Sequence, residues 1–323
     1  MTGIYEGIRT LLLPVFSLPL SWFYDWTGSY VLAIFLLTLI IRLLLLPVSI
    51  KQQKNSAKQT RLNAKVNRIR QKYANNQQKA QQEIQALYQR EGFGAANMGC
   101  MPMMIQMFVM IGLYGVMYKP LSSVLRFSDE KITTIKTVMK TALDAASKNN
   151  KRGSVDMAEI GILKNFGDYA AELKDAIGAE ALGELAEFSE KFTFLGLDLS
   201  VTPDKSHFDA YWLIPILACL TAALSSVYMY LKQRKQNPEM AKNPAMGCMS
   251  FMSPAMSLIF TFMFPTGVGV YWIISNIIAF VQQVGLSIFY SPKKVIAQQM
   301  VDETVVRRSK ENTTKLRVEN EKK

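Results

Sequence analysis

The sequence predicts an all-α membrane protein: five transmembrane helices and a cytoplasmic helical hairpin, with the N-terminus outside and the C-terminus inside. Three observations predict it. The 323-residue chain is 50% hydrophobic, and its apolar residues gather into five blocks of 18–23 residues, 31–50, 99–118, 210–231, 246–263 and 267–289. A helix of about 20 residues matches the hydrocarbon thickness of a bilayer. Arg42 is the one charged residue inside any of these blocks. Basic residues are also distributed unevenly over the connections, which sets orientation.

The N-terminal segment, residues 1–30, holds an apolar run, Leu11–Leu20, interrupted by Pro14 and Pro19. Prolines inside a helix remove a hydrogen bond and clash with the preceding turn. With Glu6 and Arg9 ahead of it there is no basic leader region. We read it as an interfacial segment, with Trp22, Tyr24 and Trp26 at headgroup level.

The first span, 31–50, reads VLAIFLLTLIIRLLLLPVSI. An arginine near its middle stays charged and costs about 2.5–3.5 kcal/mol on insertion scales. Such a residue ordinarily faces a bundle interior or a wet recess. Thr38 lies one turn earlier on the same face.

Residues 51–95 follow, with ten basic and two acidic side chains. Leu62, Val66, Ile69 and Tyr73 step by three or four, and after Asn75-Asn76 come Ile84, Leu87 and Tyr88. That pattern predicts two helices with narrow apolar stripes, folded back as a hairpin and ended at Gly92–Gly94. Its basic surface suits anionic lipid, a ribosome or nucleic acid.

The second span, 99–118, is rich in methionine and is interrupted by Gln106. The long connection, 119–209, holds twelve basic and fifteen acidic residues. Its stripe Ile132, Ile135, Val138 and Met139 predicts a helix, Asn149–Gly153 a linker, and Met157–Lys191 further helical segments. Lys191–Asp204 is expected to be extended. This is a small extracellular insert. The third span, 210–231, carries Thr221, Ser225 and Ser226 on one sector; the fourth is 246–263; the fifth, 267–289, carries Tyr271, Trp272, Ser275, Asn276, Gln282 and Gln283. The tail, 290–323, has nine basic and five acidic residues. The basic connections belong to the cytoplasm and the acidic insert to the outside.

Arg42 and these polar groups suit one wet recess, because unpaired polar groups facing lipid are costly. No carboxylate lies within any apolar block, so the recess favours a negatively charged visitor. The candidate substrate-binding residues are Arg42, Thr38, Gln106, Ser226, Tyr271, Trp272 and Ser275. Cys100, Cys219 and Cys248 are isolated within spans, and His207 has no ligand partner nearby. No disulfide, metal site or small-molecule cofactor is expected. No phosphate-binding loop, HExxH motif or catalytic triad pattern occurs, so an enzyme is not expected.

Several stretches carry a family resemblance. TLIIRLLLLPVSIKQQ, KVNRIRQKYANNQQKAQQEIQALYQREGF followed by GCMPMMIQM, FTFLGLDLSVTPD with DAYWLIPIL, and FPTGVGVYWIISNIIAFVQQ occur in that order. Together they resemble the YidC/Oxa/Alb membrane protein insertases, most closely the Gram-positive type without a large soluble domain or a lipoprotein cysteine. The resemblance leaves the insert and the distal tail uncovered. It implies a hydrophilic groove open to cytoplasm and lipid, with the family's groove arginine at Arg42 and substrate-contacting positions at Thr38, Gln106 and Trp272. Some members have Gln where this chain has Ser226. The implied activity is insertion of nascent membrane proteins into the plasma membrane, alone or beside the Sec translocon, with a ribosome contact through hairpin and tail. A non-inserting assembly scaffold is the alternative. An anion transporter or channel fits less well, since no inverted repeat is visible.

Overall fold

The computed structural model describes residues 2–91, 100–147, 158–236 and 244–321. The ends expected at Gly92–Gly94 and the linker Asn149–Gly153 lie outside them. Among the described residues the regular secondary structure is helical apart from one two-stranded β-ribbon. Two helical segments, Ala210–Lys235 and Thr266–Phe289, are long and apolar enough to cross a bilayer. A third span results if Tyr30–Leu44 and Leu46–Lys72 count as one. Where five spans were expected, the second and fourth blocks give shorter apolar helices among the described residues, Met107–Met117 and Phe251–Thr261.

The chain divides into two compact units. The first comprises Met1–Leu43, Ile105–Leu231 and Asn243–Phe280; the second comprises Leu44–Met104, Lys232–Lys242 and Val281–Lys323.

The first unit opens with α1, Thr2–Thr27, one helix that contains both Pro14 and Pro19. The expectation that these prolines break the segment is therefore corrected. A helix-interior proline costs about 3 kcal/mol, and burial offsets it. Phe16, Leu20 and Phe23 sit in the core at 7%, 0% and 5% exposure, each worth about 1.5–3 kcal/mol. In α2, Tyr30–Leu44, the inward face is Tyr30, Ala33, Ile34, Leu37 and Thr38. α5, Cys100–Met117, approaches α1 closely: a Cβ at Gly112 would lie 2.3 Å from Phe16 Cε2.

The insert folds into the same core rather than standing apart. It consists of α6 (Pro120–Ser123), α7 (Asp129–Ser147), α8 (Glu159–Asn165), a 3₁₀ turn (Phe166–Tyr169) and α9 (Ala170–Lys191). Ile132, Ile135 and Met139 of α7 are buried as the stripe predicts. Phe188 and Phe192 pack on Tyr24 and Tyr30, with Tyr30 and Phe192 centroids 4.6 Å apart.

The stretch expected to be extended contains a tight β-hairpin, β1 (Thr193–Phe194) paired antiparallel with β2 (Leu197–Asp198). Its two turn residues, Leu195 and Gly196, have φ of 52° and 78°. Both-positive φ is the requirement of a type I′ turn, natural for glycine and strained for leucine. The strand end then anchors α12, Thr266–Phe289, as Thr266 N donates to Val201 O at 2.8 Å and Gly267 N to Leu199 O at 2.9 Å. α10 (Leu213–Gln236) and α11 (Pro244–Thr261) complete the apolar helices. Leu213, Ile216, Leu220, Leu224, Val227 and Leu231 form an exposed apolar line along α10, at the spacing of a lipid-facing stripe.

In the second unit, α3 (Leu46–Lys72) and α4 (Gln77–Arg90) pack together through Leu62, Val66, Ala80 and Ile84. Asn76 caps α4, its side chain accepting from Lys79 N at 3.0 Å. The tail contributes α13, Pro292–Glu321, a 30-residue helix lying along α3. Val295 is buried, and Arg61 grips Glu303 with two hydrogen bonds of 2.8 and 3.1 Å.

Candidate functional site

Arg42 occupies the last turn of α2, where a cation complements the unsatisfied carbonyls of the helix end. Its side chain is half-buried. Nη2 donates to the Ser275 hydroxyl on α12 at 3.0 Å. Tyr271, one turn before Ser275 and 4% exposed, shares a hydrogen bond with the same hydroxyl. Three of the seven residues named from the sequence thus form one polar chain, Arg42–Ser275–Tyr271. Among the described residues no carboxylate lies within ion-pair distance of Arg42. A guanidinium has five N–H donors in a fixed fork, so the Ser275 bond leaves donors over for an anionic group.

Thr38 is buried on α2 a turn from Arg42, and its hydroxyl donates back to Ile34 O at 2.7 Å. Its proton is engaged within its own helix, leaving an acceptor. Trp272 turns to α11, stacking on Phe260 with centroids 5.8 Å apart and meeting Phe264 edge-on at 5.9 Å. Ser226 is half-buried and makes no side-chain hydrogen bond among the described residues. Gln106 lies in α5, but its side chain is outside the described residues.

A second polar link joins α10 to α12. Asn276 Nδ2 donates to Thr221 Oγ1 at 3.2 Å and to Ala218 O at 3.3 Å. One turn further along α10, the buried Ser225 hydroxyl has no partner among the described residues. In the second unit, Gln282 Nε2 donates to Ser49 Oγ at 3.3 Å and Lys232 Nζ to Ser287 Oγ at 2.6 Å.

One feature of the first unit was not singled out from the sequence. Glu159 is 4% exposed, and Ser122 donates to its carboxylate from the backbone N at 2.9 Å and from the hydroxyl at 3.0 Å. Burial pushes its pKa up, while the Ser122 bonds and the nearby Lys119 and Lys136 pull the other way. The available signal was a carboxylate opening the otherwise apolar run EIGIL. Among the described residues no group of three or more His, Cys, Asp or Glu could hold a metal ion.

The family model described as "60Kd inner membrane protein" matches residues 22–293. Among curated relatives, "Membrane protein insertase YidC 2" of Listeria innocua is 26% identical over 80% of this chain, and the match spans 66% of that protein's length. "Membrane protein insertase YidC" of Clostridium perfringens is 26% identical over 83% of this chain and 82% of its own. "Membrane protein insertase YidC 2" of Bacillus anthracis is 27% identical over 87% and 80%. The matched span takes in the first, second and last apolar helices, the basic helix pair and the insert. The chain is a largely helical protein of the plasma membrane and belongs to the YidC/Oxa/Alb family of membrane protein insertases.

Proposed function

We propose that this chain is a membrane protein insertase and chaperone that takes short polar tails of nascent membrane proteins into an intramembrane groove. The observation that carries the reading is a half-buried Arg42, bonded to Ser275 and lacking a carboxylate partner among the described residues. Placed in apolar surroundings, such a cation attracts an acidic tail. At 4 Å and an effective dielectric of about 20 the attraction is about 4 kcal/mol, comparable with the cost of holding the arginine there.

The groove residues in this reading are Arg42, Thr38, Gln106, Ser226, Tyr271, Trp272 and Ser275. Their hydroxyl, amide and guanidinium groups hydrate the tail's backbone, which otherwise loses its hydrogen bonds on entering hydrocarbon. The substrate's apolar segment then passes into lipid, and that transfer drives the step without a nucleotide. The chain has five spans, N-terminus outside and C-terminus in the cytoplasm, which follows the excess of basic residues in 51–95 and in the tail. The cytoplasmic helix pair and tail meet the ribosome or anionic lipid, and the Sec translocon is a partner by family likeness.

Reconstitution of the purified chain alone into liposomes tests the reading. A single-span substrate with a short acidic tail is offered, and protease protection of the tail is read against empty liposomes. Protection that requires the protein supports insertion. Substrate that binds without becoming protected assigns the chain to a non-inserting scaffold instead.

A further inference from the structure

In the first unit, the end of α5 meets α6, α7 and α8 around a cavity of about 210 Å³ lined by Tyr114, Tyr118, Lys119, Lys136 and Glu159. That is small beside pockets for drug-sized ligands and suits a compact ionic group. Both lysines are half-buried, and neither has a carboxylate within ion-pair distance among the described residues. Glu159 lines the same cavity and is attracted electrostatically to both lysines, but its two oxygens are held by three bonds of 2.9–3.2 Å from Ser122. Two half-buried lysines beside a single carboxylate leave a net positive charge in the cavity lining, which an anion would offset.

The walls narrow the choice of anion. Tyr114 and Tyr118 stack at 4.3 Å, giving an apolar face beside the lysines. The site lies where an apolar helix ends, at Met117, followed at once by Tyr118 and Lys119. Tyrosine and lysine at the end of an apolar helix belong to the membrane–water interface, where lipid phosphates are the abundant anions.

We propose that this cavity binds a phosphate-bearing anion through Lys119 and Lys136, with an anionic lipid headgroup as its source. The proposal stands independently of what the chain does to other proteins.

The test uses the full chain in detergent with three probes: dioctanoyl phosphatidylglycerol, dioctanoylglycerol without the phosphate, and soluble glycerol phosphate. The phosphatidylglycerol is expected to bind more tightly than dioctanoylglycerol, and Lys119→Gln with Lys136→Gln to weaken it by about thirtyfold, the product of about fivefold for each lysine near a membrane surface. Glu159→Gln removes the one like charge and is expected to tighten binding, a response that a merely structural role of the cavity would not give. That second variant keeps the proposal open to refutation should the double lysine variant misfold. Glycerol phosphate binding as tightly as the lipid, with the same lysine dependence, supports the anion site and identifies a soluble source. Binding of both phosphate probes unaffected by the lysine pair and by Glu159→Gln overturns the proposal. So does an acidic peptide that occupies the site in preference to either phosphate probe.

Discussion

The guanidinium of Arg42 on α2 donates to the hydroxyl of Ser275 on α12 at 3.0 Å, and no other charged residue lies in either of the two apolar blocks it joins. A neutral hydroxyl satisfies one donor without cancelling the charge. Had the partner been a carboxylate, the pair would be a closed ion pair with little attraction left for a visitor. The relationship predicts different outcomes for its two ends. Ser275→Ala removes the hydrogen bond to the charged Arg42, worth about 1.5–3 kcal/mol, together with the one shared with Tyr271, and leaves the cation in place. It is expected to lower the melting temperature in detergent yet keep tail insertion measurable. Insertion lost in Ser275→Ala, with an unchanged melting temperature, would assign the serine a direct substrate role.

Packing between α1 and α5 depends on the absence of a side chain at Gly112. Gly112→Ala places a methyl group against the buried Phe16 ring, and overpacking of this kind costs about 1–3 kcal/mol. Thermal unfolding in detergent should show the loss. Phe16→Leu in the same chain should recover part of it, giving a favourable coupling in a double-mutant cycle. Additive losses would mean that the two residues are not in contact.

Glu159 predicts a pH dependence whose sign follows from its surroundings. Its pKa in the folded chain is raised above the ordinary value of 4.5, chiefly by burial. The folded state therefore holds this proton more tightly than the unfolded one. Stability from this group is fully present below pH 4.5 and is lost as pH rises through the folded pKa. Glu159→Gln removes that slope. Relative to the parent, the variant should gain melting temperature as pH rises from 5 to 8. Parallel pH profiles would contradict it.

Magnitudes also decide what holds α13 to α3. The Arg61–Glu303 pair is bidentate but partly exposed, with 30% and 54% of the side-chain surfaces accessible, and exposed pairs contribute about 0–1 kcal/mol. Val295, 3% exposed, contributes more by burial. Hydrogen exchange over 292–321 should change little in Arg61→Ala and rise sharply in Val295→Asp. The reverse order would mean that the ion pair is the principal contact.

Much of the fold was legible because helical spacing and burial agree. Leu62, Val66 and Ile84 form the α3–α4 contact, and the Asn75-Asn76 break is where α4 takes its cap. Ile132, Ile135 and Met139 likewise mark the buried face of α7. Local rules failed where tertiary packing outweighs them. Pro14 and Pro19 read as breakers, yet the burial of Phe16, Leu20 and Phe23 holds α1 together across them. Leu195 carries no signal for a positive φ; the turn is set by Gly196 beside it and by the pairing of Phe194 with Leu197. α13 has few apolar residues, and its docking on α3 rests on a long-range pairing that periodicity does not reveal. In the candidate site, Arg42, Ser275 and Tyr271 were each visible as polar residues in apolar blocks. Their joining into one chain depends on the register of α2 against α12, which no local pattern specifies.

The most direct test of the groove is charge matching between Arg42 and the substrate tail. Two substrates identical except for an acidic or a neutral tail are offered to liposomes holding the parent chain or Arg42→Ala. Arg42→Ala is expected to lower protease protection of the acidic tail by about tenfold or more, within the attraction of about 4 kcal/mol that the cation offers, and to leave the neutral tail nearly unchanged. Equal loss for both tails, or none for either, would contradict an electrostatic role for Arg42.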